Sequence, residues 1–375
     1  MAYTINTLIK LANINTHWQN PDGIQNAFKL ITPSFQAISD TVTQHALPPI
    51  QNTTITGNAI TVPTGVLLAQ KRPTAPFKIL LSIHIDTVYP QESSFQRCKQ
   101  HKNNLHGPGV CDAKGGLLIL LEGLTQFEQQ HPTRVGWTTI INADEEIGSP
   151  RSSPLLLDHA KHHNIGLIFE PTLPNGNLVS QRKGSSNITL ISHGISAHAG
   201  RHFFKGTNAI TQLTHLIQKW TSYFPNTPHR IINIGQIHGG TATNQVPDLA
   251  ISKINIRTTT TTMMDKILNA LKTKLVRHPN ILLKIDTYRP PKPFDSPTQH
   301  LFKSLQSLDP TLKWESSGGV CDGNTIASIG LPTIDTFGPT GNNIHTHKEY
   351  VDLKSINKKI KLLVSFLKTM ENKNI

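Results

Sequence analysis

Cysteine is scarce in this chain. Cys98, Cys111 and Cys321 are the only three among 375 residues, too few for the disulfide framework of a small secreted domain. Long hydrophobic runs are missing as well: no uninterrupted apolar stretch approaches the roughly 20 residues of a membrane span. The opening stretch MAYTINTLIKLANINTHWQNPDG has polar residues throughout, with no apolar signal core and no small-residue cleavage site. These absences lead us to expect a cytoplasmic protein with no membrane partner. Negative charge is also in short supply, 23 Asp and Glu against 36 Lys and Arg, for a formal net charge of +13. That balance would permit nucleic-acid binding. The basic residues are dispersed, however, without a basic arm or an aromatic–basic signature, and we expect no nucleic-acid partner. The Lys-rich LKSINKKIKLLVSFLKTMENK sets Ile356, Ile360, Leu363 and Phe366 on one face of an amphipathic helix with a solvated basic face.

In so basic a chain, one acidic stretch stands out. TTIINADEEIGS, residues 138–149, reads as a buried strand that ends in Asp144, Glu145 and Glu146. Carboxylates that close repel one another and are costly to desolvate. A solvated turn would explain the triplet in isolation, so its neighbours in the fold must decide.

The first half alternates strand-like and helix-like segments. FKILLSIHIDTV (77–88), GWTTIINA (136–143) and IGLIFEPT (165–172) read as strands; AKGGLLILLEGLTQFEQQ (113–130) and SSPLLLDHAKHH (152–163) read as helices. Such alternation predicts an α/β sheet with helices on its faces, and ligands beyond the carboxyl ends of its strands. From about Gly184 the pattern changes. Alternating strands and two amphipathic helices form a βαββα-like block that ends near the Pro-rich YRPPKPFDSP. We therefore expect a domain built from 1–183 and 294–375, with 184–293 inserted into it.

The predicted strand ends carry a donor set. HID puts His84 and Asp86 on one side of a strand; one can bind a metal while the other takes the imidazole's second N–H. Asp112, between glycine turns in GPGVCDAKGG, suits a helix N-cap or a carboxylate that bridges two cations. Of two adjacent glutamates, one can be a ligand while the other faces a water. Glu170 in LIFEPT and His345 in GPTGNNIHTHKEYV complete the set. Two dications would offset the carboxylate repulsion. Mixed imidazole and carboxylate ligation suits zinc or another borderline divalent metal.

The ordered motifs HxDT, GxxDxKGG, DEEIGS, FEPT, SAHAG and HTxxE, spread from about residue 80 to 350, resemble the co-catalytic zinc amidohydrolases. That family includes glutamate carboxypeptidase, acetylornithine deacetylase and succinyl-diaminopimelate desuccinylase. The tail, with SSGGVCDGN, GLPTIDTFG and PTGNNIHT in order, is most similar to the glutamate carboxypeptidase-like branch, and the first 75 residues resemble the family only loosely. The resemblance implies a mixed-sheet α/β catalytic domain with an inserted α+β, ferredoxin-like domain that serves as lid and homodimer contact. It implies two Zn2+ per subunit, with Co2+ or Mn2+ as possible substitutes. Asp112 would bridge them, His84 and Glu170 would hold the first, and Glu146 and His345 the second. Asp86 would orient His84, and Glu145 would be the general base. His198 of SAHAG would help stabilise the oxyanion. Asn244 and Arg257 would hold the substrate's free carboxylate, with Gly318 and Gly319 offering backbone N–H groups to it. By the motif's spacing to Glu349, His345 rather than His347 is the ligand; Asp144 is expected to be a supporting or solvated residue, and Cys111 and Cys321 packed thiols. The implied activity is hydrolysis of an amide in a small peptide, releasing a C-terminal glutamate-like amino acid. The alternative is deacylation of an N-acyl amino acid such as acetylornithine. The family also often has a cis peptide after the bridging Asp, here Asp112–Ala113. A non-catalytic, polyanion-binding relative would have been free to lose the ligands or Glu145, yet all are present.

Overall fold

A computed structural model describes residues 5–130 and 134–371; the ends of the polar opening stretch and of the Lys-rich C-terminal stretch lie outside them. The chain divides into two compact units. Met1–Ile50, Val62–Gln181 and Lys292–Ile375 form one; Gln51–Thr61 and Arg182–Pro291 form the other.

The first unit is built on a six-stranded sheet in the order Thr41–Thr53, Ala59–Lys71, Val135–Asn142, Phe77–His84, Ile165–Ile168, Thr333–Ile334. Phe77–His84 runs parallel to both its neighbours, and Ala59–Lys71 joins antiparallel, which makes the sheet mixed. Because a strand's side chains alternate between faces, Ile79, Leu81 and Ile83 enter a core with the helices Ile5–Ala12, Pro21–Gln36, Lys114–Gln130 and Leu353–Glu371. Leu80 and Ile140 face the other way, toward Leu156 and Ala160 of the helix Ser153–Ala160 and Ile326 of Asp322–Ala327. Helices on both faces account for the unbroken apolar runs in these strands. The strands are shorter than the sequence predicts. They leave the ladder at His84, Asn142 and Ile168, so Asp86, Glu145, Glu146 and Glu170 sit on loops just beyond the sheet's carboxyl edge.

The second unit is a four-stranded antiparallel sheet in the order Arg230–Gly239, Leu249–Thr258, Gly184–His193, Ile281–Arg289. The helices Ala209–Thr221 and Thr261–Leu275 bury Leu213, Leu216, Trp220, Ile267 and Leu271 against Ile188, Leu190, Ile254 and Ile256. Asn208 and Thr260 cap the two helices through their side-chain oxygens. The connectivity is βαββαβ, the ferredoxin-like order. The sequence pattern stops at the second helix and misses the last strand, ILLKIDTYR. That strand is at the sheet's edge, and a bulge between Ile285 and Thr287 breaks its two-residue period. Nor does the pattern assign Gln51–Thr61, the tip of the hairpin formed by the first two strands, to this unit. There the Lys253 ammonium donates to the Thr53 carbonyl oxygen at 2.6 Å.

Candidate metal centre

His84 ends the middle one of three adjacent parallel strands. The strand on one side leads to Glu145 and Glu146, and the strand on the other to Glu170. Strand order alone therefore gathers three of the expected groups around His84. Its Nε2 is 3.1 Å from Asp112 Oδ1 and 3.6 Å from Glu170 Oε1. On the far side of Asp112, Oδ2 is 3.2 Å from Nε2 of His345, which is also 3.2 Å from Glu146 Oε2. Asp112 thus turns one oxygen to each imidazole. The Asp112–Ala113 peptide is cis.

Close packing places these groups. A Cβ on Gly116 would lie 1.9 Å from the Phe169 carbonyl oxygen, so only glycine lets the helix after Asp112 approach the chain just before Glu170. Asp86 acts differently from the simple expectation. The second imidazole nitrogen of His84 is nearer the Asp86 carbonyl oxygen, at 3.0 Å, than its carboxylate Oδ1, at 3.4 Å. The Asp86 carboxylate also accepts the backbone N–H groups of Glu145 and Glu146, at 3.2 and 2.9 Å. It therefore orients the histidine and anchors the acidic turn together.

Asp144 is not solvated; it is fully buried. Its carboxylate accepts N–H groups from Arg151 and Ser152 and the Ser152 hydroxyl at 2.5 Å. Burial pushes its pKa up to about 6. Beside it, Asn142 donates to Ser152 Oγ and to Asp322 Oδ2, and Ser149 Oγ donates to Asp322 Oδ1. This buried network beneath the acidic turn was missed in the sequence. The only trace of it in the sequence is Asp322 within SSGGVCDGN, a motif that by itself does not say what the carboxylate touches.

The electrostatics favour a cation. Asp86, Asp112, Glu145, Glu146 and Glu170 crowd around the buried His84, with the half-exposed His345 reaching in from the solvent side. Burial works against charge on His84, but Glu170, Asp112 and Asp86 outweigh it and hold its pKa well above the ordinary value. Hydrogen bonds to Asp112 and Glu146 push His345 up to about 11. Burial raises Glu146, whereas for Asp112 the two histidines overcome burial and lower it. The same carboxylates that raise the two imidazoles favour any positive charge placed among them, which is what a divalent cation would supply. Glu146 Oε1 is buried with no hydrogen-bond partner among the described residues. Two donor groups, His84–Asp112–Glu146 and His84–Glu145–Glu170, each lie within 4.8 Å. The residues present therefore fit a divalent cation. Glu145 is as close to the donors as the expected ligands are, so distance alone does not separate base from ligand.

The remaining expected residues fall elsewhere. In the first unit, the Gly319 N–H already donates to Ser317 Oγ at 3.1 Å, and a side chain at Gly318 would meet open space. His347 is exposed and stacks on Phe95, and it is in neither donor group. Cys111 and Cys321 are buried thiols, and burial raises the Cys111 pKa. In the second unit, the two-stranded ribbon Ala197–His198 with Gln245–Val246 brings His198 beside Asn244. The N–H groups of Gly200 and Arg201 point at His198 Nδ1, which leaves Nε2 to carry the proton and act as donor. Arg257 is not with them. It lies near the far end of Leu249–Thr258, roughly 25 Å along an extended strand, where its Nε donates to Asn255 Oδ1 at 3.0 Å.

Fold and donor cluster together define a class: a hydrolase built on a mixed α/β sheet with a ferredoxin-like insertion, in which carboxylates and histidines that could hold a metal ion cluster beyond the strands' carboxyl ends. The model of peptidase family M20/M25/M40 matches residues 80–369, and the chain belongs to that family. It is similar to the succinyl-diaminopimelate desuccinylase of Blochmanniella pennsylvanica (strain BPEN), 28% identical over 312 residues, covering 76% of this chain and 79% of that protein. It is also similar to carboxypeptidase G2 of Pseudomonas sp. (strain RS-16), 25% identical over 374 residues, covering 95% of this chain and 86% of that protein. Among solved structures, the M20 family metallo-carboxypeptidase Sso-CP2 of Sulfolobus solfataricus superposes with a TM-score of 0.76 at 16% identity, over 98% of this chain and 99% of that one. The protein is thus an M20 metallopeptidase or amidohydrolase. No helix among the described residues is long and apolar enough to cross a membrane.

Proposed function

We propose that this enzyme cleaves an amide bond and releases a free amino acid, with a C-terminal, glutamate-like residue as the preferred product. One observation carries the reading: Asp112 offers separate oxygens to His84 and His345, at 3.1 and 3.2 Å. That arrangement supports two cation positions, His84 with Glu170 and His345 with Glu146, bridged by Asp112. Zinc suits this donor set, with Co2+ or Mn2+ able to replace it. Bound there, the metals would activate a water and polarise the scissile carbonyl. Glu145 takes the proton of the attacking water and delivers it to the leaving amine. Asp86 holds the Glu145–Glu146 turn in place by its backbone. His198 donates from Nε2 to the developing oxyanion, and the Arg257 guanidinium pairs with the substrate carboxylate, with Asn244, Gly318 and Gly319 as further contacts.

His198 and Asn244 lie far from Arg257 within one copy of the inserted unit, so one substrate would meet all three only if two copies contribute. This supports a homodimer in which the inserted unit is lid and contact. The free thiols support a cytoplasmic location. A second reading is deacylation of an N-acyl amino acid, favoured by the similarity to a desuccinylase. The test is a panel of C-terminal glutamate peptides and N-acyl amino acids, run on wild type and Glu145→Gln. We expect turnover of the peptides to fall by about 10²–10⁴-fold in the variant with metal content unchanged. Near-normal rates in Glu145→Gln would remove Glu145 as the base, and exclusive turnover of N-acyl amino acids would select the second reading.

A further inference from the structure

Asp112 and His345 reach the same centre from loops far apart in the chain, and Glu349 joins those loops. Glu349 is fully buried. Its Oε1 accepts the N–H groups of Cys111 and Asp112, at 2.9 and 3.1 Å. Its Oε2 accepts the N–H of Gly109 at 3.1 Å and the Tyr89 hydroxyl at 2.8 Å. The same hydroxyl is 2.8 Å from the Thr346 carbonyl oxygen, next to His345. The Tyr89 ring meets Phe95 edge-on, and Phe95 stacks on His347. The loop that carries His345 is thereby held from both sides.

Two features indicate that this clamp serves the centre rather than only the fold. Burying another carboxylate against so many others is unfavourable, and a glutamine would fill the same volume with less desolvation. What glutamine cannot do is accept with both terminal atoms, and backbone N–H groups, which only donate, point at both of them: Cys111 and Asp112 at Oε1 and Gly109 at Oε2. Moreover, His345 and Asn343 have φ of 61° and 57°, left-handed values that cost a non-glycine residue energy and persist only where the surroundings enforce them.

We propose that Glu349, with Tyr89, is a positioning residue: by tying the Gly109–Asp112 loop to the 345–349 loop it sets the separation of Asp112 from His345, and with it the affinity of the second cation position. The proposal rests on the metal reading of the donor cluster and is tested separately from it. Zinc binding to the full-length protein is followed by competition with a chromophoric chelator, alongside thermal unfolding of the metal-free form. Wild type should show two binding steps. Glu349→Gln should weaken one of them by about 10–100-fold and leave the other close to wild type, with activity returning at excess zinc. Equal affinities for both steps in variant and wild type would overturn the proposal, and so would an equal loss in both, the result of a merely structural role. If Glu349→Gln does not fold, Tyr89→Phe decides: a selective loss of several-fold in one step supports the clamp, and wild-type affinities reject it. A wild type that binds no zinc would instead sink the metal reading, and the proposal with it.

Discussion

Asp86, Asp112 and Glu349 show how much of this centre depends on carboxylates that do two things at once. Asp86 serves a histidine and an acidic turn, Asp112 faces two imidazoles, and Glu349 grips one loop while tied to another. Each carboxylate engages both of its oxygens, Asp86 on the two N–H groups of the acidic turn while its main-chain carbonyl takes the histidine, and no neutral side chain of that size offers two such acceptors. Glycine has the complementary role of leaving room. A methyl group at Gly116 would collide with the backbone of Phe169, so strand and helix must part. We predict that Gly116→Ala costs about 1–3 kcal/mol, the usual range for overpacking, measured by denaturant unfolding, and weakens metal binding by displacing Glu170. An alanine variant with wild-type stability would show that the helix can shift freely.

At the scale of elements, the C-terminal helix Leu353–Glu371 packs its apolar face on the first unit's core, yet it also buries Lys359. The ammonium has no hydrogen-bond partner among the described residues and lies 5.4 Å from the Phe337 ring. Burial lowers its pKa to about 7, with Lys358 adding to the effect. An unfolded lysine titrates near 10.4. Between those values the unfolded chain binds a proton that the folded one does not, so this residue makes stability rise with pH from about 7 to about 10. Replacing it with methionine removes that slope. Lys359→Met should be more stable than wild type at pH 7, by on the order of 2 kcal/mol, and the gap should close toward pH 10. Chemical denaturation at several pH values checks this, and a gap independent of pH would refute it. The amphipathic pattern predicted this helix; which lysine turned inward was not legible, because only the packed neighbours decide which edge of a helix face is covered.

For the whole molecule, the proposed metal ligands all belong to the first unit, whereas His198, Asn244 and Arg257 belong to the second. Metal removal should therefore act unevenly. A cation present at a thousand times its dissociation constant stabilises what it binds by about 4 kcal/mol. Chelation should raise hydrogen exchange in Phe77–His84, Val135–Asn142 and Ile165–Ile168 and leave the sheet of Gly184–His193 and Leu249–Thr258 little changed. Uniform deprotection of both units would contradict this. The dimer reading gives a second expectation. Mixing His198→Ala with Glu145→Gln, each nearly inactive alone, should restore up to about one quarter of wild-type turnover by random pairing, if His198 acts on the partner's site. Rates no higher than the separate variants would place His198 in its own protomer's chemistry.

The amino-acid sequence by itself determined the alternating strands and helices, the change of pattern near Gly184, and which acidic and imidazole residues are candidate donors, because each rests on local periodicity or on a short motif whose chemistry is carried by residue type. Only the tertiary structure decided that the last strand of the second unit exists, that Asp144 is buried, that Asp322 supports the acidic turn, and that Arg257 is remote from Asn244. Each of these depends on contacts between residues far apart in the chain. Sheet order, edge position and side-chain burial are set by the packing of whole elements, which no local pattern encodes.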